Sequence, residues 1–340
     1  MNYNRMANLI SSHFSLDKKA FEKAGVFDAV IGVDTHLFLD PFLLKKTRIP
    51  EFRNSRNKIE KYYNQVISLL LASRVKGDRA WRAALERLTF RELRGISIGY
   101  GVRSGDGSAI GHGLALRLID TASEILDMGI RDPAIFELIG LFEEDFGADR
   151  LSDMTIVIIK EDIYKFTERI TKSLNIKELI QVRFNDNTYY LPKHPAGNRS
   201  LILLPKELLR DLPVALTWQA IDHVVSTNRE LRERLNRLIG MTWKNKIKKK
   251  ELRDLIFANK NNIEELLKAY RSGSGTSYDF EKDPSGQVSW YPIGKAFAEK
   301  NPLLLQPQEV TNANILGEIV EKIINQFKRN IEVNGLNEHL

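Results

Sequence analysis

Helical periodicity is the feature that most constrains what this chain can fold into. From about Ser55 to Arg74, Ile59, Tyr62, Tyr63, Val66, Ile67, Leu70 and Leu71 recur at spacings of three and four, which makes one side of an amphipathic helix apolar. The same spacing runs through Ile156, Ile159, Ile163, Phe166, Ile170 and Leu174, and Ser152 is placed to cap that long helix, which ends near Asn175. A shorter helix is expected around Trp81 to Leu88. Another ends near Met128, with Gly129 as its C-terminal cap and Pro133 in the first turn of the next, which carries Ile135, Phe136, Leu138, Ile139 and Phe142 and stops near Gly147. Past Pro213 the pattern is helical to about Arg271, and helices are expected near Pro292 to Glu299 and Asn312 to Asn330.

Strand signals are fewer and shorter. AVIGVDTHLFLDP, Ala29 to Pro41, holds two β-favouring runs closed by Asp-Pro, and GISIGYG from Gly95 is strand-like. Between Gln181 and Pro205, VRF, TYYLP and SLILLP alternate with turn residues, which predicts a small sheet. The expected fold is therefore mixed α/β (α+β), predominantly helical with a small sheet, in two subdomains. The expected divisions are 1–175, 176–271 and 272–340, the last opening on a Ser272-Gly273-Ser274-Gly275 linker.

Composition narrows the setting. A chain of 340 residues with 43% hydrophobic content can bury an ordinary core without staples. It has no cysteine, so disulfides and thiolate metal sites are excluded and a reducing, cytoplasmic setting is expected. Asn4, Arg5, Ser11, Ser12, Asp17 and Lys18 interrupt the start where an export signal would need an apolar core. The densest apolar runs, such as Val66 to Ala72, fall far short of the ~20 residues that cross a bilayer, so no membrane partner is expected.

Charge is unevenly placed. The net charge of the chain is +7, and the segment from His223 to Gly275 alone holds 13 Lys and Arg against 6 acids. Asp120 to Asp162 holds 12 acids against Arg131, Arg150 and Lys160. Such asymmetry steers an anionic partner to one face, or draws two parts of one chain together. Within the basic segment Lys244, Lys246, Lys249, Lys250 and Arg253 are the candidate nucleic-acid contacts, with Lys246, Lys249, Lys250 and Arg253 expected on one helical face. A solvated face, or a partner for the acidic stretch, explains the same charges.

Two further segments carry candidate chemistry. The loop GYGVRSGDGSAIGHG, Gly99 to Gly113, lies between an expected strand and an expected helix, where backbone N–H groups and the helix dipole suit a phosphate. Arg103, Ser104, Gly105, Gly107, Ser108 and His112 are its candidate phosphate contacts, although the spacing matches neither the dinucleotide fingerprint nor a Walker loop. Tight turns and close helix packing account for the same glycines. The acidic stretch Glu143 to Asp153 offers Glu144, Asp145, Asp149 and Asp153 as ligands for Mg²⁺ or Mn²⁺. Carboxylates at a helix start are also favoured by its dipole alone.

Several activities lack their residues. No Glu-x-Lys occurs, and the one Asp-x-Lys is Asp17-Lys18-Lys19, so a complete PD-(D/E)XK nuclease site is not expected. The six histidines lack ligand spacing for zinc, and no Gly-x-Ser-x-Gly elbow is present. No catalytic residue is assigned.

The succession DTHLFLDPFLL, the glycine loop, IFELIGLFEEDFGADRLSDM, LILLPKELLRDLP and YDFEKDPSGQVSWY resembles the N-terminal region of uncharacterised bacterial proteins found among phage-defence and restriction genes. The resemblance runs along most of the chain. In those relatives the region continues into a PD-(D/E)XK nuclease domain, whereas this chain stops at Leu340. The resemblance therefore implies a piece of a longer protein, or a subunit whose nuclease is supplied by another chain, and it carries no catalytic residue across. The expected function is a nucleic-acid-binding module of an anti-phage defence or restriction system, contacting DNA or RNA and recruiting or regulating a nuclease or ATPase subunit. A metal-dependent phosphoesterase or nuclease using the acidic stretch, and a protein-interaction scaffold, are the alternatives.

Overall fold

The architecture comes from a computed structural model that describes residues 9–32, 34–99, 110–212, 233–237, 249–273, 275–283 and 320–321. Among the described residues, the longest helix is the one with the clearest periodicity. Helix α3 (Ser55–Ala72) buries Ile59, Tyr63, Val66, Ile67 and Leu70, and follows α1 (Ile10–His13), α2 (Lys18–Lys23) and a short strand β1 (Leu37–Leu39). After a turn with Gly77 at φ +90°, α4 (Arg79–Leu88) packs back against α3 with Ala84, Leu85 and Leu88 buried. Asp78 sets where α4 begins, because its carboxylate accepts the Trp81 N–H (2.8 Å) that the first turn leaves unpaired.

Helix α5 (His112–Asp127) ends as the sequence implies: Gly129 adopts φ +82° and donates to the Leu126 carbonyl. The next helix is shorter than expected. Helix α6 (Ile135–Leu138) gives way to a 3-10 turn over Ile139–Leu141. The long helix expected from Ser152 is two helices, α7 (Ala148–Ile158) and α8 (Lys160–Ser173), separated at Ile159 by non-helical backbone. Ser152 lies inside α7 rather than at its cap. It is buried, and its hydroxyl accepts the Leu39 N–H (2.9 Å), so it ties α7 to β1.

Among the described residues, strand is confined to two antiparallel pairs. Strands β2 (Leu179–Phe184) and β3 (Asn187–Pro192) form a hairpin whose two-residue turn has Asn185 at φ +51°. Strand β4 (Leu209–Asp211) pairs with β1, Phe38 opposite Arg210. Two expected strands are not formed as such. Thr35 and Ile98 meet in a single parallel bridge, and Leu201 to Leu204 run as buried extended chain. That segment lacks alternation because it is covered on all sides, and its backbone bonds go to separate partners: Ile202 to Gly95, Phe27 to Leu204, Leu203 to the Thr167 hydroxyl. The fold is predominantly helical α+β, as expected.

Helices α9 (Lys249–Phe257) and α10 (Lys260–Ser272) follow, and one hydrophobic cluster extends from Ile10 to Tyr270. That cluster runs across residue 175. Beneath α10 the Tyr270 hydroxyl and Arg56 both donate to buried Glu137, at 2.6 and 2.8 Å. Gly275, expected in a linker, packs on the Phe42 ring closely enough that a Cβ would come within 2.9 Å. The chain then runs beside β4, with Tyr278 N–H bonded to Leu209 and Phe280 against Phe27. Apolar Tyr278 and Phe280 outweigh the flexible composition just before them. Among the described residues, no helix is long and apolar enough to cross a membrane. The helices expected beyond Pro292 lie outside the described residues.

Candidate anion-binding surfaces

The basic segment and the acidic stretch meet. Lys249 is buried, and its ammonium donates to the Glu143 and Phe146 carbonyls at 2.8 and 2.7 Å. Burial pushes it below the usual lysine range, against the pull of Glu144, Asp149, Glu143 and Asp145. One turn on, Arg253 donates to Glu124 and lies 4.6 Å over the Phe257 ring. Lys250 points to solvent, and Lys244 and Lys246 lie outside the described residues. The expected single open face is thus divided: two of its four cations hold α9 on the acidic stretch.

The acidic stretch divides as well. Glu144 and Asp145 are exposed, and Asp145 pairs with Arg117 at 3.2 Å. Asp149 and Asp153 turn inward on the first turns of α7. Burial raises both above the ordinary aspartate range, and the like charges of Asp149 and Glu92 help to push Asp153 up to about 7. The four expected ligands do not converge: among the described residues no group of three or more His, Asp or Glu side chains is placed to hold a metal ion. Of the glycine loop, His112 is the exposed first residue of α5 and Gly99 packs near Asp34; Arg103, Ser104, Gly105, Gly107 and Ser108 lie outside the described residues.

A different set of cations is open. Arg74, Arg79, Arg82, Arg91 and Arg94 are exposed on the α3–α4 turn, on α4 and on the segment after it. Among the described residues none of these five side chains has a carboxylate partner. Two neighbouring acids are committed elsewhere. Asp78 is held at about 2 by the Trp81 and Arg74 N–H groups, and Asp120 is taken by Lys76 at 3.0 Å. The segment bearing Arg91 and Arg94 is pinned at both ends. Phe90 pairs with Ile110 at the neck of the glycine loop, and Gly95 accepts from Ile202 (2.9 Å). Gly95 has φ +92°, and a Cβ there would sit 2.0 Å from the Ser200 oxygen, so only glycine allows this approach. Their surplus, seven Arg and Lys against three acids from Arg74 to Arg94, is hidden in the overall charge because Asp120 to Asp162 offsets it.

A family model described as "Domain of unknown function (DUF8370)" matches residues 15–217. No curated protein and no solved structure matches the chain. The match takes in the arginines of α4 and the whole acidic stretch, and ends before α9.

Proposed function

We propose that this chain, which belongs to the DUF8370 family, is a nucleic-acid-binding module that holds DNA or RNA through phosphate contacts. Its setting, on this reading, is a bacterial anti-phage defence or restriction system, where it recruits or regulates a nuclease. The observation that supports it is the fate of the acids. Asp120, Glu124, Asp132 and Asp145, which would repel phosphate, are matched by Lys76, Arg253, Arg271 and Arg117 of the chain itself. The surplus of seven positive charges is therefore left to other surfaces, exposed Lys250 among them. A cationic surface needs only exposure to attract a polyanion, whereas a metal site needs ligands that converge.

Fluorescence anisotropy with labelled DNA and RNA tests this. Binding at low salt that weakens steeply as salt rises is expected, because each phosphate contact releases counterions. No binding of either polymer at low salt would remove the reading.

A further inference from the structure

Several cations of the α3–α4 hairpin have no acidic partner among the described residues. Arg79 and Arg82 are three residues apart on α4 and repel one another, a small cost to the helix. Glu86, one turn beyond Arg82, forms no ion pair with it among the described residues. We infer that Arg74, Arg79, Arg82, Arg91 and Arg94 form a phosphate track, and that the polymer lies here rather than along α9. This rests on the nucleic-acid reading above and gives it a location and a mode: backbone contact without base reading.

Three observations carry it. The cations are arginines, whose planar five-donor fork takes a phosphate bidentately where a lysine offers a point charge. They stand on fixed backbone, since Asp78 caps α4 and the Phe90 and Gly95 contacts hold the segment after it, so little order has to be gained on binding. No Asn or Gln, the residues that read adenine, occurs from Leu71 to Gly95, so adenine-specific reading has no side chain here. The track ends at the neck of the glycine loop. At its other end Leu71 and Val75 are 44% and 66% exposed. An apolar tip ringed by cations also suits an anionic lipid surface, which is the competing partner class.

The test compares the full chain with R79E/R82E/R91E/R94E, its milder R79Q/R82Q/R91Q/R94Q form and K244E/K246E/K250E, each checked for an unchanged thermal midpoint. Anisotropy is read with single-stranded DNA, single-stranded RNA and duplex DNA of two unrelated sequences, and flotation with phosphatidylserine vesicles. With five contacts the parent should lose roughly 100-fold on single strands and 500-fold on duplex between about 50 and 200 mM salt. The arginine reversals should lose at least about tenfold more than the lysine reversals, and the Gln form should flatten the salt slope. The two sequences should bind alike.

If the lysine reversals abolish binding and the arginine reversals do not, this location is wrong and the nucleic-acid reading stands. A strong preference between the two sequences refutes backbone-only contact. Vesicle binding without nucleic-acid binding, or no binding at all, refutes both.

Discussion

Helices α9 and α4 both begin with basic residues, yet they use them in opposite ways. On α9, Lys249 and Arg253 are spent on the chain's own carbonyls and on Glu124, so the most charged stretch of the sequence helps to hold the fold together. On α4, Arg79 and Arg82 stand in solvent, and Asp78 just before them is committed to the helix cap. Total charge in a segment therefore does not measure what a ligand can reach. What counts is charge without an internal partner.

The largest effect that can break this contrast is on α9. Lys249→Glu puts a carboxylate against two carbonyls and beside Glu143, Glu144, Asp145 and Asp149, and should cost at least about 3 kcal/mol in urea unfolding. Lys249→Met, which only leaves the carbonyls unpaired, should cost about 1–3 kcal/mol. A Lys249→Glu protein as stable as the parent would mean that α9 is not docked as described.

A second effect sharpens the acidic side of the same contact. Asp153 is raised from 3.8 to about 7, first by burial and then by Asp149 and Glu92, so its protonated form is the one the fold favours. Its contribution to stability is complete below about pH 4 and is lost as pH rises through 7. Asp153→Asn should therefore match the parent at pH 4 and exceed it by about 2–4 kcal/mol at pH 8. Urea midpoints across that range check the sign, and a parent that gains on Asp153→Asn as pH rises would contradict it.

What the sequence revealed follows the same division between local and tertiary causes. Helices α3, α4 and α5 were legible because periodicity, the Gly129 cap and short loops are local properties. The break at Ile159 was not, since the apolar spacing runs through it without interruption. Leu201 to Leu204 looks like a strand because β propensity and complete burial select the same residues; only the scattered partners of its backbone tell them apart. At the candidate site, the attraction between basic and acidic segments was readable as one of two options. Which option Lys249 took depends on a turn more than a hundred residues away. The exposed arginines were visible in sequence as residues, but that none meets an acid among the described residues is a three-dimensional fact.

Arg253 should respond weakly for its charge. Its pair with Glu124 is partly exposed, so Arg253→Ala should cost no more than about 1 kcal/mol, part of it from lost packing on Phe257.

The smallest effect is expected on α4. Arg79→Ala and Arg82→Ala remove exposed side chains that touch no acid among the described residues, and alanine is at least as good a helix former, so stability should stay within about 0.5 kcal/mol of the parent. Relief of their mutual repulsion should place the double variant at or slightly above the parent at low salt, with the difference vanishing as salt screens it. A double variant that unfolds more than about 1 kcal/mol earlier would show that these arginines serve the fold after all. The contrast between the two helices would then disappear, because both would be holding their cations inward.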